Sequence, residues 1–158
     1  MKKIICLILA LLALIVPVMA ETTAPETVRL AFEDGFSLTL PAGWVRYELD
    51  PALADEGYIY CLGSADGAQL MYIQRWASDL TDLDALTTAL DERTEIELKS
   101  SNTSDSGEAF LMYRFSLQDS CGGMLIHEGS ILNLLFTPQS DDALMLTAAT
   151  ILASFSAE

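Results

Sequence analysis

Cys61, Cys121 and the lone histidine, His127, are the side chains of this sequence suited to nucleophilic chemistry, in which a thiolate attacks and an imidazole carries its proton. His127 follows Cys121 by six residues, and nothing in the sequence fixes the distance between them. The two cysteines also read as a structural disulfide or as two separate buried thiols. His127 adjoins the Glu128-Gly129 turn, where an exposed or locally bonded imidazole is the ordinary outcome. No Gly-x-Ser-x-Gly elbow orients a serine nucleophile, and no glycine-rich loop is spaced to cradle a phosphate. A single histidine excludes multi-histidine metal centres.

Asp79, Asp82 and Asp84 offer the oxygen ligands that a hard cation such as calcium takes, but lack the glycine and distal glutamate of the helix-loop-helix calcium loop. Their other reading is helix capping and complement of the helix dipole. Asp91, Glu92, Glu95 and Glu97 read as a solvated face. These residues assign no catalytic, cofactor or metal site. Trp44, Tyr47, Tyr58, Tyr60, Tyr72 and Trp76 flank the first two hairpins and form the candidate docking surface, because aromatics with polar edges are enriched where partners bind. Core packing is the alternative for them, with Tyr58 and Tyr60 on one strand face and Tyr72 and Trp76 on another.

The chemistry must be carried by one ordinary domain, since the chain has 158 residues. Residues 1–20 have the order of a secretory signal: Lys2 and Lys3, an apolar run from Ile4 to Val16, then Val18-Met19-Ala20 as a cleavage site. Those thirteen apolar residues fall short of the roughly 20 that span a bilayer. The expected product is therefore secreted or extracytoplasmic, with no stable membrane insertion after cleavage. Cys6 lies inside the apolar run, and its loss leaves Cys61 and Cys121 in a compartment that permits oxidation. Six basic side chains then face 23 acidic ones, a net charge of −17. Nucleic acid and anionic membranes, which are bound through Lys and Arg, are excluded as partners.

Residues 21–27 read as a flexible tether, and residues 28–158 as a single α+β domain. Val28 to Phe32 and Phe36 to Leu40 flank Glu33-Asp34-Gly35 as a first hairpin. Tyr58 to Leu62 and Gln69 to Trp76 flank residues 63–68 as a second. Thr81 opens a capping box ahead of a three-turn helix carrying Leu83, Leu86 and Leu90. Thr94 to Lys99 predicts a strand, residues 100–107 a polar loop with a glycosylation-type Asn102-Thr103-Ser104. Phe110 to Leu117, Met124 to His127 and Ser130 to Phe136 predict a meander, joined by Asp119-Ser120-Cys121-Gly122-Gly123 and Glu128-Gly129. Its strands are apolar on both alternations, the pattern of a sheet covered on two faces. Pro138 ends the last strand, and a helix capped by Ser140 carries Leu144, Ala148, Ile151, Leu152 and Phe155 to the C-terminus.

Phe36-Ser37-Leu38-Thr39-Leu40-Pro41-Ala42-Gly43-Trp44 resembles the early strand and Pro-x-Gly-Trp turn of PsbP-like proteins, and Ile151-Leu152-Ala153-Ser154-Phe155 resembles their closing helix. The resemblance covers nearly all of residues 28–158. It implies an α/β/α sandwich, a mainly antiparallel sheet of about seven or eight strands between helices. That family includes an extrinsic photosystem II subunit, a Ran regulator and many exported bacterial proteins, so it implies an exported non-catalytic accessory or binding module without a cofactor, whose partner is an unknown protein or cell-envelope component. The competing readings are a small extracytoplasmic enzyme using Cys121 and His127, and a calcium-type cation-binding protein.

Overall fold

The first hairpin forms where alternation and turn chemistry agree. In a computed structural model that describes residues 26–158, β1 (Thr27–Phe32) and β2 (Phe36–Pro41) pair antiparallel from Phe32 against Phe36 to Thr27 against Pro41. Gly35 closes the turn with φ +80°, a conformation that costs glycine little. The strand starts at Thr27, inside the expected tether. The leader, Cys6 and residues 21–25 lie outside the described residues.

Further along come β3 (Val45–Tyr47), the short α1 (Pro51–Asp55), β4 (Tyr58–Gly63), β5 (Leu70–Ala77) and α2 (Leu83–Asp91). They are followed by β6 (Ile96–Thr103), β7 (Ala109–Phe115), β8 (Cys121–His127), β9 (Ser130–Thr137), α3 (Asp142–Ala153) and β10 (Ser156–Ala157). The chain is mixed α+β and mostly antiparallel, but its strands form two sheets where one was expected. Seven run in the order β3-β4-β5-β9-β8-β7-β6, and β1-β2-β10 make a second sheet.

The second sheet depends on how α3 ends. Phe155 was expected on the helical stripe, yet the helix stops at Ala153 with Ser154 as its C-cap. The Ser154 hydroxyl donates to the Ile151 carbonyl at 2.7 Å and accepts the Thr39 amide at 2.8 Å, which turns the chain onto β2. Ser156 then pairs with Ser37 and Ala157 with Phe36, while Phe155 sits fully buried with its ring 5.6 Å from that of Phe36. Both caps fall one residue later than the sequence pattern suggests. Asp82, rather than Thr81, accepts the Ala85 amide at the start of α2. Asp141, rather than Ser140, accepts those of Ala143 and Leu144 at the start of α3.

Two stretches with loop composition are strand. Residues 100–103 extend β6 against β7, so Asn102 pairs with Phe110 instead of standing in a loop. Cys121-Gly122-Gly123 begin β8. A Cβ at Gly122 would lie 2.6 Å from both the Tyr113 hydroxyl and the Leu134 carbonyl. These glycines therefore serve close packing rather than a turn. Leu132, Leu134 and Phe136 of β9 join one buried cluster with α3 and the small sheet. Ile131 joins another with Leu86 and Leu90 of α2, and Leu135 packs against it.

Candidate functional site

The turn Pro41-Ala42-Gly43-Trp44 builds the site. Gly43 has φ +89° and the Trp44 amide donates to the Pro41 carbonyl at 3.2 Å, a reversal that requires a positive φ at its third residue. Trp44 is thereby delivered to the gap between the small sheet and the β3-β4 edge of the large one. A cleft of about 400 Å³ opens there, walled by Val28, Leu30 and Phe32 of β1, by Leu40 and Leu62, and by Trp44. Beyond Pro41 and Trp44, which both cavities share, lies a second of about 230 Å³ reaching Leu146 and Ile151 of α3.

Polar groups gather at one end. The Arg46 guanidinium carbon lies 4.6 Å above the Tyr60 ring, a cation–π contact, and among the described residues Arg46 joins no ion pair. Tyr60 donates its hydroxyl to Asp34 at 2.8 Å, and Asp34 also accepts from Arg75 at 3.1 Å. Arg75 in turn reaches Ser130 at 3.2 Å and Glu128 at 3.9 Å. Asp34, at the tip of the first hairpin, thus ties the small sheet to β4 and β5 and fixes the closed end of the cleft. Burial pushes the Tyr60 phenol above its ordinary pKa, the bond to Asp34 adds to this, and Arg46 opposes it. Tyr60 is therefore a neutral donor at physiological pH. Glu33, exposed in the same lining, also raises the Tyr60 pKa through its charge.

The six aromatics do not form one surface. Tyr60 pairs with Ile73 and Tyr58 with Gln74, with a bulge between them, so the expected shared face of Tyr58 and Tyr60 is broken. Trp44 and Tyr60 line the cleft. Tyr58 and Tyr72 meet edge to face at 5.8 Å on the other side of the large sheet, and Trp76 packs against the α2 cluster. Tyr47 lies beside Arg46 along a smaller adjoining cavity, its hydroxyl donated to the Ser64 carbonyl at 2.6 Å.

Among the described residues no disulfide forms; Cys61 and Cys121 are free and buried. Cys61 lies in a cross-strand row with Tyr72, Leu135 and Gly122, whereas Cys121 lies in the row of Phe136, Met71 and Leu62, on the opposite face. Three strand spacings of about 4.8 Å also separate β4 from β8, ~14 Å against the ~7 Å limit for bridging. Burial raises both thiol pKa values, with Tyr72 opposing the shift at Cys61 and Arg114 at Cys121.

Nor does the structure assemble a cysteine–histidine pair. Cys121 and His127 occupy opposite ends of β8, about 20 Å apart at ~3.3 Å per residue. The Cys121 sulfur lies 3.1 Å from that of Met145. His127 is buried edge-on against the stacked rings of Phe36 and Phe155, at 6.2 and 5.7 Å, rather than exposed beside its turn, and among the described residues its Nε2 has no hydrogen-bond partner. Among the described residues no three His, Cys, Asp or Glu side chains are grouped to hold a metal ion, and Asp82 is engaged as a helix cap.

No protein-family model matches this chain, and no curated protein is significantly similar to it. The site therefore has to be read from its own chemistry. Of the six aromatics that the sequence offered, Trp44 and Tyr60 line the cleft; Val28, Leu30, Arg46 and Asp34 were not among its candidates. For Arg46 a signal existed, an arginine two residues after the Trp44 that ends the Pro41-Ala42-Gly43-Trp44 turn. No described helix is long and apolar enough to cross a membrane.

Proposed function

We propose that this chain is an exported, non-catalytic binding module of PsbP-like α/β/α sandwich type that holds a cell-envelope component in the Trp44–Tyr60 cleft. The observation that carries this reading is the apolar cleft itself. Small-molecule sites are commonly concavities of about 300–1,000 Å³ with apolar walls and a few convergent polar groups, and this one has apolar walls with Arg46 and Tyr60 at one end. Of the five exposed large apolar side chains among the described residues, Val28 and Leu30 line it, and a third, Leu146, lines the cavity beyond Trp44. Exposed apolar surface gathered in this way supports a binding reading. The two rising thiol pKa values and the separation of Cys121 from His127 argue against thiol catalysis.

A photo-crosslinking residue in place of Val28 tests the reading in intact cells. It is expected to give a covalent adduct that Leu30→Glu removes, while the same residue in place of exposed Leu117 gives none. Identical adducts from both positions would overturn the cleft as the site. Export is checked by N-terminal sequencing, with Glu21 the expected first residue and an intact Met1 in the membrane fraction the contrary result.

A further inference from the structure

We propose that the ligand of the cleft is a single-chain amphiphile with a carboxylate head, of the fatty-acid class, an inference that rests on the binding-module reading. Three features define that chemistry. The walls contributed by Val28, Leu30, Phe32, Leu40 and Leu62 offer an alkyl chain dispersion contacts and removal from water, with no polar partner required along its length. Trp44 and Pro41 also line a second cavity, where Leu146 and Ile151 stand among four threonines and Gln69, so further apolar surface for a longer tail lies on the far side of Trp44.

The third feature is the head-group end. Arg46 is held over the Tyr60 ring with no carboxylate partner among the described residues, in a chain where acids far outnumber bases. A guanidinium presents a planar fork that matches a carboxylate, and the ring beneath it leaves its N–H edges free to donate. The Tyr60 hydroxyl is committed to Asp34, which leaves Arg46 to receive the head. The protein's net negative charge opposes an anion only over the screening length, about 8 Å at physiological salt. At the Tyr60 end the charged groups are Arg46, Asp34, whose carboxylate is paired with Arg75, and the exposed Glu33, so the head must sit on the Arg46 side of the ring.

Calorimetry on the processed protein with three twelve-carbon probes below their micelle concentrations separates the possibilities: laurate, dodecanol and dodecylammonium. Laurate is expected to bind one to one and tightest. Arg46→Gln, at an exposed position that leaves the fold intact, is expected to weaken laurate by about tenfold or more, as loss of a charged hydrogen bond does, and to leave dodecanol unchanged. Quenching or enhancement of Trp44 fluorescence should accompany binding and vanish in Trp44→Phe, because Trp76 lies on the other face of the sheet. Equal binding of laurate and dodecanol, unaffected by Arg46→Gln, would overturn the carboxylate assignment and leave the cleft standing. Tightest binding of dodecylammonium would do the same. If none of the three binds, or Leu30→Glu leaves their binding unchanged, the cleft reading falls as well.

Discussion

The two strands of the first hairpin face the same way and meet different fates. Phe36 and Leu38 of β2 are fully buried and Leu40 is 5% exposed, whereas their cross-strand partners Phe32, Leu30 and Val28 on β1 are 8%, 39% and 55% exposed. Exposure rises with distance from the turn. The cause is coverage: β2 lies between β1 and β10 and under α3, while β1 is an edge whose far end overhangs the cleft. One hairpin therefore supplies both a core strand and the rim of the cleft, and the alternation pattern, shared by both strands, does not distinguish them.

The comparison predicts unequal costs for equal truncations. Phe155→Ala, on the packed side, should cost roughly 3 to 5 kcal/mol and Leu38→Ala roughly 2 to 5, both read from denaturant midpoints. A cost of under 1 kcal/mol for either would break the contrast. Asp34→Ala removes the anchor of Tyr60 and Arg75, and should cost about 1 to 2 kcal/mol because these bonds are only partly buried. It should also loosen the closed end of the cleft, seen as faster amide exchange at the tip of the first hairpin. Leu30→Ala should cost less than about 1 kcal/mol, since that side chain keeps much of its exposure in the fold.

The smallest effect is a matter of pH. The Gln69 amide, followed by the Leu144 and Ala143 amides, holds the Asp141 carboxyl below its usual pKa. Its folded pKa lies below its unfolded one, so its contribution is fully present above the unfolded value of about 3.9 and is lost as pH falls through the folded value. The stability difference between the protein and Asp141→Asn should accordingly be constant near neutrality and shrink on acidification below pH 4. A gap that stays constant down to pH 2 would contradict this assignment.

Most strands and both longer helices were legible because their signals are local: Gly35 at a tight turn, alternation in β2, and leucines at helical spacing in α2. What escaped depends on partners far along the chain. Gly122-Gly123 have turn composition, but here the lack of Cβ atoms admits Tyr113, Leu134 and Leu152. Phe155 continues the helical stripe in sequence, and only the Ser154 bond to Thr39, across 115 residues, diverts it. Tyr58 and Tyr60 obey the two-residue period on paper, and one bulge sends them to opposite faces. At the site, Trp44 was legible from its turn, while the link from Asp34 to Arg75 spans 41 residues and has no local trace.

The pairing of β10 with β2 has a consequence for the order of events in biosynthesis. Chains emerge from the ribosome, as they do from a translocation pore, beginning with the N-terminus. The first hairpin is thus available roughly 120 residues before Ser156 and Ala157 arrive to flank it. Until then Phe36 and Leu38 lack the Phe155 side of their packing and offer a bare apolar strand to chaperones and to other nascent chains. A ribosome that stalls before Phe155 would release a chain with most of its large sheet encoded and its first hairpin uncovered, a ready substrate for quality-control proteolysis.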